Sequence, residues 1–347
     1  MSSRAEPARA AKLVLSRDHV LRHRRAVGAL DQRLPAGGDA LRVAAWAGLQ
    51  DSMPRAALLS IHARVEGTHP ATLDDPSLIQ LWGPRFSTYV VAAADRAIFT
   101  LGRLAGDQRS ERRATELADE LEAFLDGRRM GYREAGHAMG VEPNRLKYAA
   151  PTGRLVIRWE GARQPVIWML PPPLTTPENA ALELARRYLH VFGPATPESF
   201  TTWAGMSTRQ GETVFAGLGD TLIPVRTPIG EAWILAADEA SFSASARSVA
   251  AVRLLPSGDA YYLLQGRDRE LLVPDVDRRA ALWTSRVWPG AVLVDGDVVG
   301  TWRRDSAVMT IETWRRLTAT QRTAVEAEAL ALPLPALESA VRVHWQG

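Results

Sequence analysis

The sequence of 347 residues contains no cysteine, and this absence limits both its stability and its chemistry. Disulfides, cysteine-type structural zinc sites and thiol nucleophiles are all excluded, so stability must come from packing. No apolar run approaches the roughly 20 residues of a membrane span, and the N-terminal residues do not form the pattern of a signal peptide. We therefore expect a soluble cytoplasmic protein, at the nucleoid if it binds DNA, with no membrane partner.

Lysine is almost missing as well, since Lys12 and Lys147 are the only two among 42 basic residues. The planar guanidinium of arginine pairs with phosphates and with base edges, so this preference is compatible with nucleic-acid binding. A coding sequence rich in G and C would produce the same preference. The formal net charge of +3 excludes a polybasic binding tail.

What is present is a repeated order of helices followed by paired strands. Residues 16–108, 109–173 and 174–240 each contain helical patterns that end in a β pair, for example residues 78–91, which break at Gly83-Pro84, and a hairpin around Gly161. This order is typical of winged-helix units. We therefore predict three tandem winged-helix repeats, preceded by a disordered arm at residues 1–15.

The pattern changes after residue 240. Short strand-like runs occupy residues 252–255, 260–264, 270–273, 291–294, 298–302 and 341–345. Asp295-Gly296 is a strong signal for a type I′ hairpin turn, and residues 319–332 read as one helix. We predict an α+β fold in which residues 241–347 form a small β-rich, barrel-like C-terminal domain.

Residues 46–64 contain the stretch where we place the chemistry. An apolar helical face runs into Gln50-Asp51-Ser52, and Pro54 suits the first turn of a new helix. A break between the helices would let side chains 50 and 52 converge on one water, whereas a continuous helix would point them about 200° apart. The alternative is that Asp51 or Ser52 only caps the second helix.

Several segments together resemble the AlkZ-like and YcaQ-like winged-helix DNA glycosylases of crosslink repair and antibiotic self-resistance. They are residues 81–95 (LWGPRFSTYVVAAAD), 186–206 (RRYLHVFGPATPESFTTWAGM), 252–269 (VRLLPSGDAYYLLQGRDR) and 292–303 (VLVDGDVVGTWR). The family carries a Gln-aliphatic-Gln or Gln-aliphatic-Asp motif in a context like GLQDSMPRA. Aligned on Gly48, Gln50 matches the first glutamine, whereas Asp51 stands at the aliphatic spacer and Ser52 at the second catalytic position.

The resemblance implies a monofunctional glycosylase without metal, nucleotide or other cofactor, acting as a monomer on double-stranded DNA that contains alkylated or bulky N7- or N3-adducted purines. Gln50 would position a water, and Asp51 would supply a carboxylate if the corner is rotated by one residue relative to the family. Two other readings stay open. One is a non-catalytic DNA-binding relative, a lesion sensor or regulator, and the other is a protein-interaction scaffold.

Phosphate or groove contacts with DNA are expected from a set of arginines. They are Arg22, Arg24, Arg25, Arg55, Arg85, Arg267 and Arg269. The seven histidines show no metal-binding spacing, and for the pair His19 and His23 we expect contact with solvent or phosphate. Most tryptophans lie among apolar neighbours, which favours core packing, as for Trp203, Trp233 and Trp302.

Overall fold

A computed structural model describes residues 13–53, 55–159, 164–244, 250–334 and 341–346. The α-helices are α1 Arg17–Val27, α2 Ala40–Ala44, α3 Ala56–His62, α4 Arg96–Thr100, α5 Gln108–Leu125, α6 Tyr132–Ala138, α7 Pro177–Phe192, α8 Pro197–Ala204, α9 Thr208–Leu218, α10 Glu239–Ser243, α11 Asp268–Leu272, α12 Val276–Leu282 and α13 Ala319–Leu330. The strands are β1 Leu13–Val14, β2 Leu49–Gln50, β3 Leu78–Trp82, β4 Thr88–Ala92, β5 Met130–Gly131, β6 Leu155–Arg158, β7 Val166–Met169, β8 Leu222–Thr227, β9 Gly230–Leu235, β10 Val252–Leu255, β11 Gly290–Val294, β12 Asp297–Asp305, β13 Val308–Thr313 and β14 Arg342–Gln346.

The longer helices begin where the sequence supplies a capping side chain. A Ser, Thr or Asp oxygen accepts the backbone N–H three residues later, which satisfies one of the free donors of the first turn. The capping residues are Ser16, Asp107, Thr176, Thr196, Ser207 and Thr318. Helix α13, predicted over residues 319–332, therefore starts at its expected position.

The first two predicted repeats share one sheet. Its strand order is β2-β4-β3-β6-β7-β5, and the hairpins β3/β4 and β6/β7 meet where Gln80 pairs with Ile157. The break at Gly83-Pro84 is confirmed as the connection between β3 and β4. The predicted turn at Gly161 lies outside the described residues. Strands β2 to β7 thus form one six-stranded sheet rather than two separate wings.

The N-terminal helix α1 packs on α7, α10 and α11 rather than on α2 and α3. Strand β1 pairs in parallel with β8, with Leu13 opposite Val225, and Leu15 is buried beside them. Residues 13–27 therefore sit against the third group of helices and its hairpin β8/β9. Of the predicted N-terminal arm, residues 1–12 lie outside the described part of the chain, whereas residues 13–15 are ordered in this strand and its continuation.

The C-terminal sheet has the order β10-β11-β12-β13-β14, and in the described residues it is open rather than closed into a barrel. Helix α13 lies on it, with Val325 and Ala329 in the same apolar cluster as Leu254 and Met309. The type I′ turn before β12 is confirmed by φ values of 53° at Asp295 and 92° at Gly296.

Two strands predicted in this region are wrong. Ala260–Tyr262 is a 3-10 turn, because the Asp259 side chain accepts the N–H of Tyr261, and residues 270–273 fall in and just after α11. Trp203 and Trp302 are buried as predicted, but Trp233 is 36% exposed. Among the described residues, no helix has the length and apolar character to span a membrane.

Candidate functional site

The stretch around residue 50 forms a short strand and not a corner between two continuous helices. Helix α2 ends at Ala44, and after a turn Leu49 and Gln50 pair with β4, opposite Val90 and Tyr89. The Asp51 N–H continues this ladder by donating to Thr88 O at 2.8 Å. Pro54, the expected start of the next helix, lies outside the described residues. The extended backbone alternates its side chains between two faces.

Gln50 lies on the accessible face of this strand and is partly exposed. Its Oε1 accepts a hydrogen bond from Arg85 Nη2 at 3.3 Å. On its other side it faces Gly258, where a Cβ would come within 3.5 Å of Gln50 Nε2. Gly258 has a φ of +77°, a conformation that favours glycine, whereas a Cβ there would meet Gln50 only at ordinary van der Waals distance. The Gln50 carboxamide therefore lies between the β3/β4 turn and a turn of the C-terminal region.

Asp51 faces the interior and is only 2% exposed. Its Oδ1 accepts the Ala57 N–H at 3.0 Å and its Oδ2 accepts Gln80 Nε2 at 2.7 Å. Burial raises the pKa of this carboxyl to about 6, against the two hydrogen bonds, which favour the ionised form. The expectation that Asp51 joins Gln50 at a water is not met, because the two side chains leave opposite faces of the strand.

Ser52 is exposed and lies in the bend that follows β2. The capping alternative is met in part: Asp51 accepts an N–H in the first turn of α3, although Arg55 stands at the formal cap with a left-handed φ of 62°. Gln50 and Ser52 are thus the two motif positions whose side chains are accessible to solvent.

The turn that carries Gly258 is held by a buried ion pair behind it. Asp259 accepts two hydrogen bonds from Arg64, at 2.7 and 2.8 Å, and one from Ser60 Oγ at 2.6 Å. Ser60, Arg64 and Asp259 are all 3% exposed or less. This pair joins α3 and its end to the C-terminal region. The sequence analysis did not predict that the 256–259 turn contributes to the site, because no nearby residue in the chain indicates that this turn packs beside Gln50.

Of the arginines proposed for DNA, Arg85 donates a hydrogen bond to Gln50. Arg24 is 3% exposed and donates to Gly193 O, Phe192 O and Asp268 Oδ1, so it has no surface left for a phosphate. Arg22 donates to Phe242 O, and Arg25 to Asp31 and Gly296 O. These α1 arginines join segments of the protein. Burial argues against DNA contact for Arg24, whereas Arg22 and Arg25 are partly exposed and their contact with DNA stays a prediction.

The remaining arginines lie nearer the surface. Arg267 is exposed and Arg55 is partly exposed. The guanidinium of Arg269 lies about 5 Å from the rings of Trp283 and Trp288 and its Nε donates to Leu264 O. Contact of Arg55, Arg267 and Arg269 with DNA stays a prediction.

Of the histidine pair on α1, His23 is turned away from solvent, contrary to expectation, whereas His19 is partly exposed. His23 is 0% exposed, and its ring nitrogens bond Ser241 Oγ and His190 O, each at 2.9 Å. Burial lowers the His23 pKa to about 4. His19 instead accepts the Ser16 N–H at the start of α1. No cluster of three or more metal-ligating side chains occurs within the described part of the chain.

Comparison with known proteins agrees with this architecture. A curated relative, the interstrand DNA cross-link repair glycosylase of Streptomyces sahachiroi, is 32% identical over 131 residues, which are 36% of this chain and 34% of that protein. The chain thus matches about a third of the relative's length. The solved structure of Streptomyces sahachiroi DNA glycosylase AlkZ has the same fold, with a TM-score of 0.76 over 96% of this chain and 100% of that one, at 21% identity. The model of the family described as DNA glycosylase AlkZ-like matches residues 43–333. Because that match spans most of the sequence, the chain belongs to the AlkZ-like DNA glycosylase family.

Proposed function

We propose that this protein is a monofunctional DNA glycosylase that removes alkylated or bulky N7- or N3-adducted purines from double-stranded DNA. Its groups of helices and hairpins would act as three winged-helix repeats that hold the duplex, with the C-terminal β-rich region as a further wall. The observation that carries the proposal is the place of Gln50, partly exposed between Arg85 and Gly258 in a chain of this family.

The reaction needs little from the protein beyond position and charge. In a cationic N7- or N3-alkylpurine the C1′–N bond breaks with its electron pair going to the base, which leaves neutral. A water then adds to C1′ and loses a proton to solvent, giving an abasic site. Because the leaving group is already activated, strong acid catalysis is unnecessary, and an amide oxygen that holds the water and stabilises positive charge on the sugar is sufficient.

Gln50 is the side chain we assign to that water. Its Oε1 has two lone pairs, of which Arg85 uses one, so the other can accept a hydrogen bond from the water. Ser52, exposed two residues later in the chain, would add a hydroxyl that can bond the same water. Asp51 takes no direct part, because both of its oxygens are occupied on the buried face.

A gel assay for abasic sites on a duplex with a single N7-methylguanine tests the assignment. We expect excision by the wild type and a loss of about 100-fold or more in Gln50→Ala, since a water-positioning group contributes about 10²–10⁴-fold. Gln32→Ala, which alters an exposed glutamine elsewhere, is the matched control and keeps the wild-type rate. Asp51→Asn is also expected to keep excision, measured at a temperature where it is folded.

A second candidate function is a non-catalytic lesion sensor or regulator. It is favoured by Ser52, which cannot offset a cation and stands where the resembled motif has a glutamine or aspartate. Binding of the lesion duplex without any abasic product would select this candidate. If a folded Asp51→Asn variant instead lost as much excision activity as Gln50→Ala, the Asp51 carboxylate would have a role in catalysis.

A further inference from the structure

The turn between β3 and β4 has an unusual backbone for its sequence. Arg85 (φ 54°, ψ 24°) and Phe86 (φ 56°) are both left-handed, although neither is glycine. Such residues are uncommon, and consecutive ones persist where surrounding contacts hold them. We therefore expect this strained backbone to hold a side chain of the β3–β4 turn at a fixed position.

Arg103 supplies much of that support. It is 9% exposed, its Nη1 donates to Gly83 O at 3.0 Å and its Nε donates to Ala204 O at 3.2 Å. Its guanidinium also lies 4.2 Å from the centre of the Phe86 ring. Burial lowers the Arg103 pKa to about 10, so it remains charged at neutral pH. The turn is thereby fastened to the end of α8.

The side chain that this turn presents bridges two parts of the molecule. Arg85 Nη1 donates to Trp203 O at 2.6 Å and Nη2 donates to Gln50 Oε1 at 3.3 Å. Its backbone packs so closely on Gly205 that a Cβ there would lie 3.1 Å from the Arg85 nitrogen and Cα. Arg85 therefore connects the end of α8 directly to the proposed site.

We propose that Arg85 is a positioning residue that fixes which end of the Gln50 carboxamide meets the water. The proposal rests on the proposed function. An amide can flip, offering either an oxygen acceptor or an NH2 donor, whereas a guanidinium only donates. Arg85 therefore holds the oxygen on its own side and turns Nε2 toward Gly258. Without Arg85 the amide can present its NH2 group, which cannot accept a hydrogen bond from water.

Single-turnover excision at saturating protein isolates this role from DNA affinity. We expect Arg85→Met to lower that rate by about 10- to 100-fold, and Arg85→Lys, which keeps one donor, to recover part of it. Arg316→Met, at an exposed arginine outside the set proposed to contact DNA, is the control and should leave the saturated rate unchanged. In a Gln50→Ala background, Arg85→Met should change the rate by less than about twofold, because the two residues act as one unit.

A measurement independent of catalysis separates this proposal from the proposed function. In protein labelled with 15N-glutamine, the Gln50 side-chain NH2 signal is the one that disappears in Gln50→Ala. We expect Arg85→Met to shift this signal, Arg85→Lys to shift it less, and Arg316→Met to leave it in place.

An unmoved Gln50 signal in Arg85→Met, or a rate loss of the same factor with and without Gln50, would overturn the positioning role. A shifted signal in a protein that excises nothing would leave the positioning contact intact and reject the proposed function instead.

Discussion

Gln50 and Asp51 are adjacent in the chain but occupy opposite faces of one extended segment. Gln50 is partly exposed and contacts two turns, whereas Asp51 is 2% exposed and has both oxygens bonded to Ala57 and Gln80. A shift of one residue exchanges the two faces of a strand. A side chain with suitable chemistry is therefore not always placed in the site. Asp51 is the stronger base of the two, yet its hydrogen bonds stabilise the interior of the protein.

The two faces are expected to respond differently to substitution. Changes on the buried face should alter the free energy of unfolding, and changes on the accessible face should alter excision with little effect on stability. Each experiment below perturbs one side and measures both quantities.

The largest effect is expected at Asp259, whose buried ion pair with Arg64 holds the 256–259 turn beside Gln50. Asp259→Ala leaves the Arg64 guanidinium buried without its carboxylate, and breaking such a pair costs about 3–5 kcal/mol. Urea unfolding measures the loss. The control is Glu231→Ala, in an ion pair with Arg226 whose side chains are 60% and 67% exposed, where the cost is below about 1 kcal/mol. Equal losses in the two variants would show that the Asp259 pair does not anchor the turn.

The next effect is a pH dependence that belongs to Asp51. Its pKa is about 6 in the folded protein against 3.8 ordinarily, so the folded state holds the proton more tightly. Protonated Asp51 therefore adds about 3 kcal/mol to the free energy of unfolding below pH 4, and this contribution is lost as pH rises through about 6. Asp51→Asn lacks this titration, so its stability relative to wild type should rise over the same window.

His23 produces the opposite trend in that window. Its pKa is lowered to about 4, so its contribution is lost as pH falls below about 6.5. Because His23 is present in both proteins, it cancels in the difference between wild type and Asp51→Asn. Unfolding free energies measured at several pH values between 4 and 7 would contradict the assignment if the two curves ran parallel.

The local elements of this fold were predictable from the sequence. Helix starts followed from capping residues such as Thr176 and Ser207, and the Asp295-Gly296 turn followed from the positive φ values that its hairpin requires. Each of these depends on side chains within a few residues. Neither the β3–β6 contact at Gln80 nor the packing of α1 against α7 has such a local signal, so both were missed.

The candidate site was predictable in position but not in orientation. Resemblance located Gln50 and the motif, yet the face taken by Asp51 depends on the pairing of β2 with β4. The burial of Arg24 likewise depends on Gly193 and Asp268, both more than 160 residues away in the chain. Composition recorded an arginine-rich chain, whereas distant partners decide which of these arginines remain available to DNA.

The smallest effect is expected at Ser52 and defines the accessible face most sharply. Ser52→Ala removes an exposed hydroxyl, so the free energy of unfolding should change by less than about 0.5 kcal/mol. If the hydroxyl only assists Gln50 in holding the water, excision of N7-methylguanine should fall by less than about tenfold, far less than in Gln50→Ala. Single-turnover rates and urea unfolding on the same preparations provide both values. A loss as large as that of Gln50→Ala would make residues 50 and 52 an obligatory pair, and a loss of stability would mean that Ser52 belongs with Asp51 on the structural side.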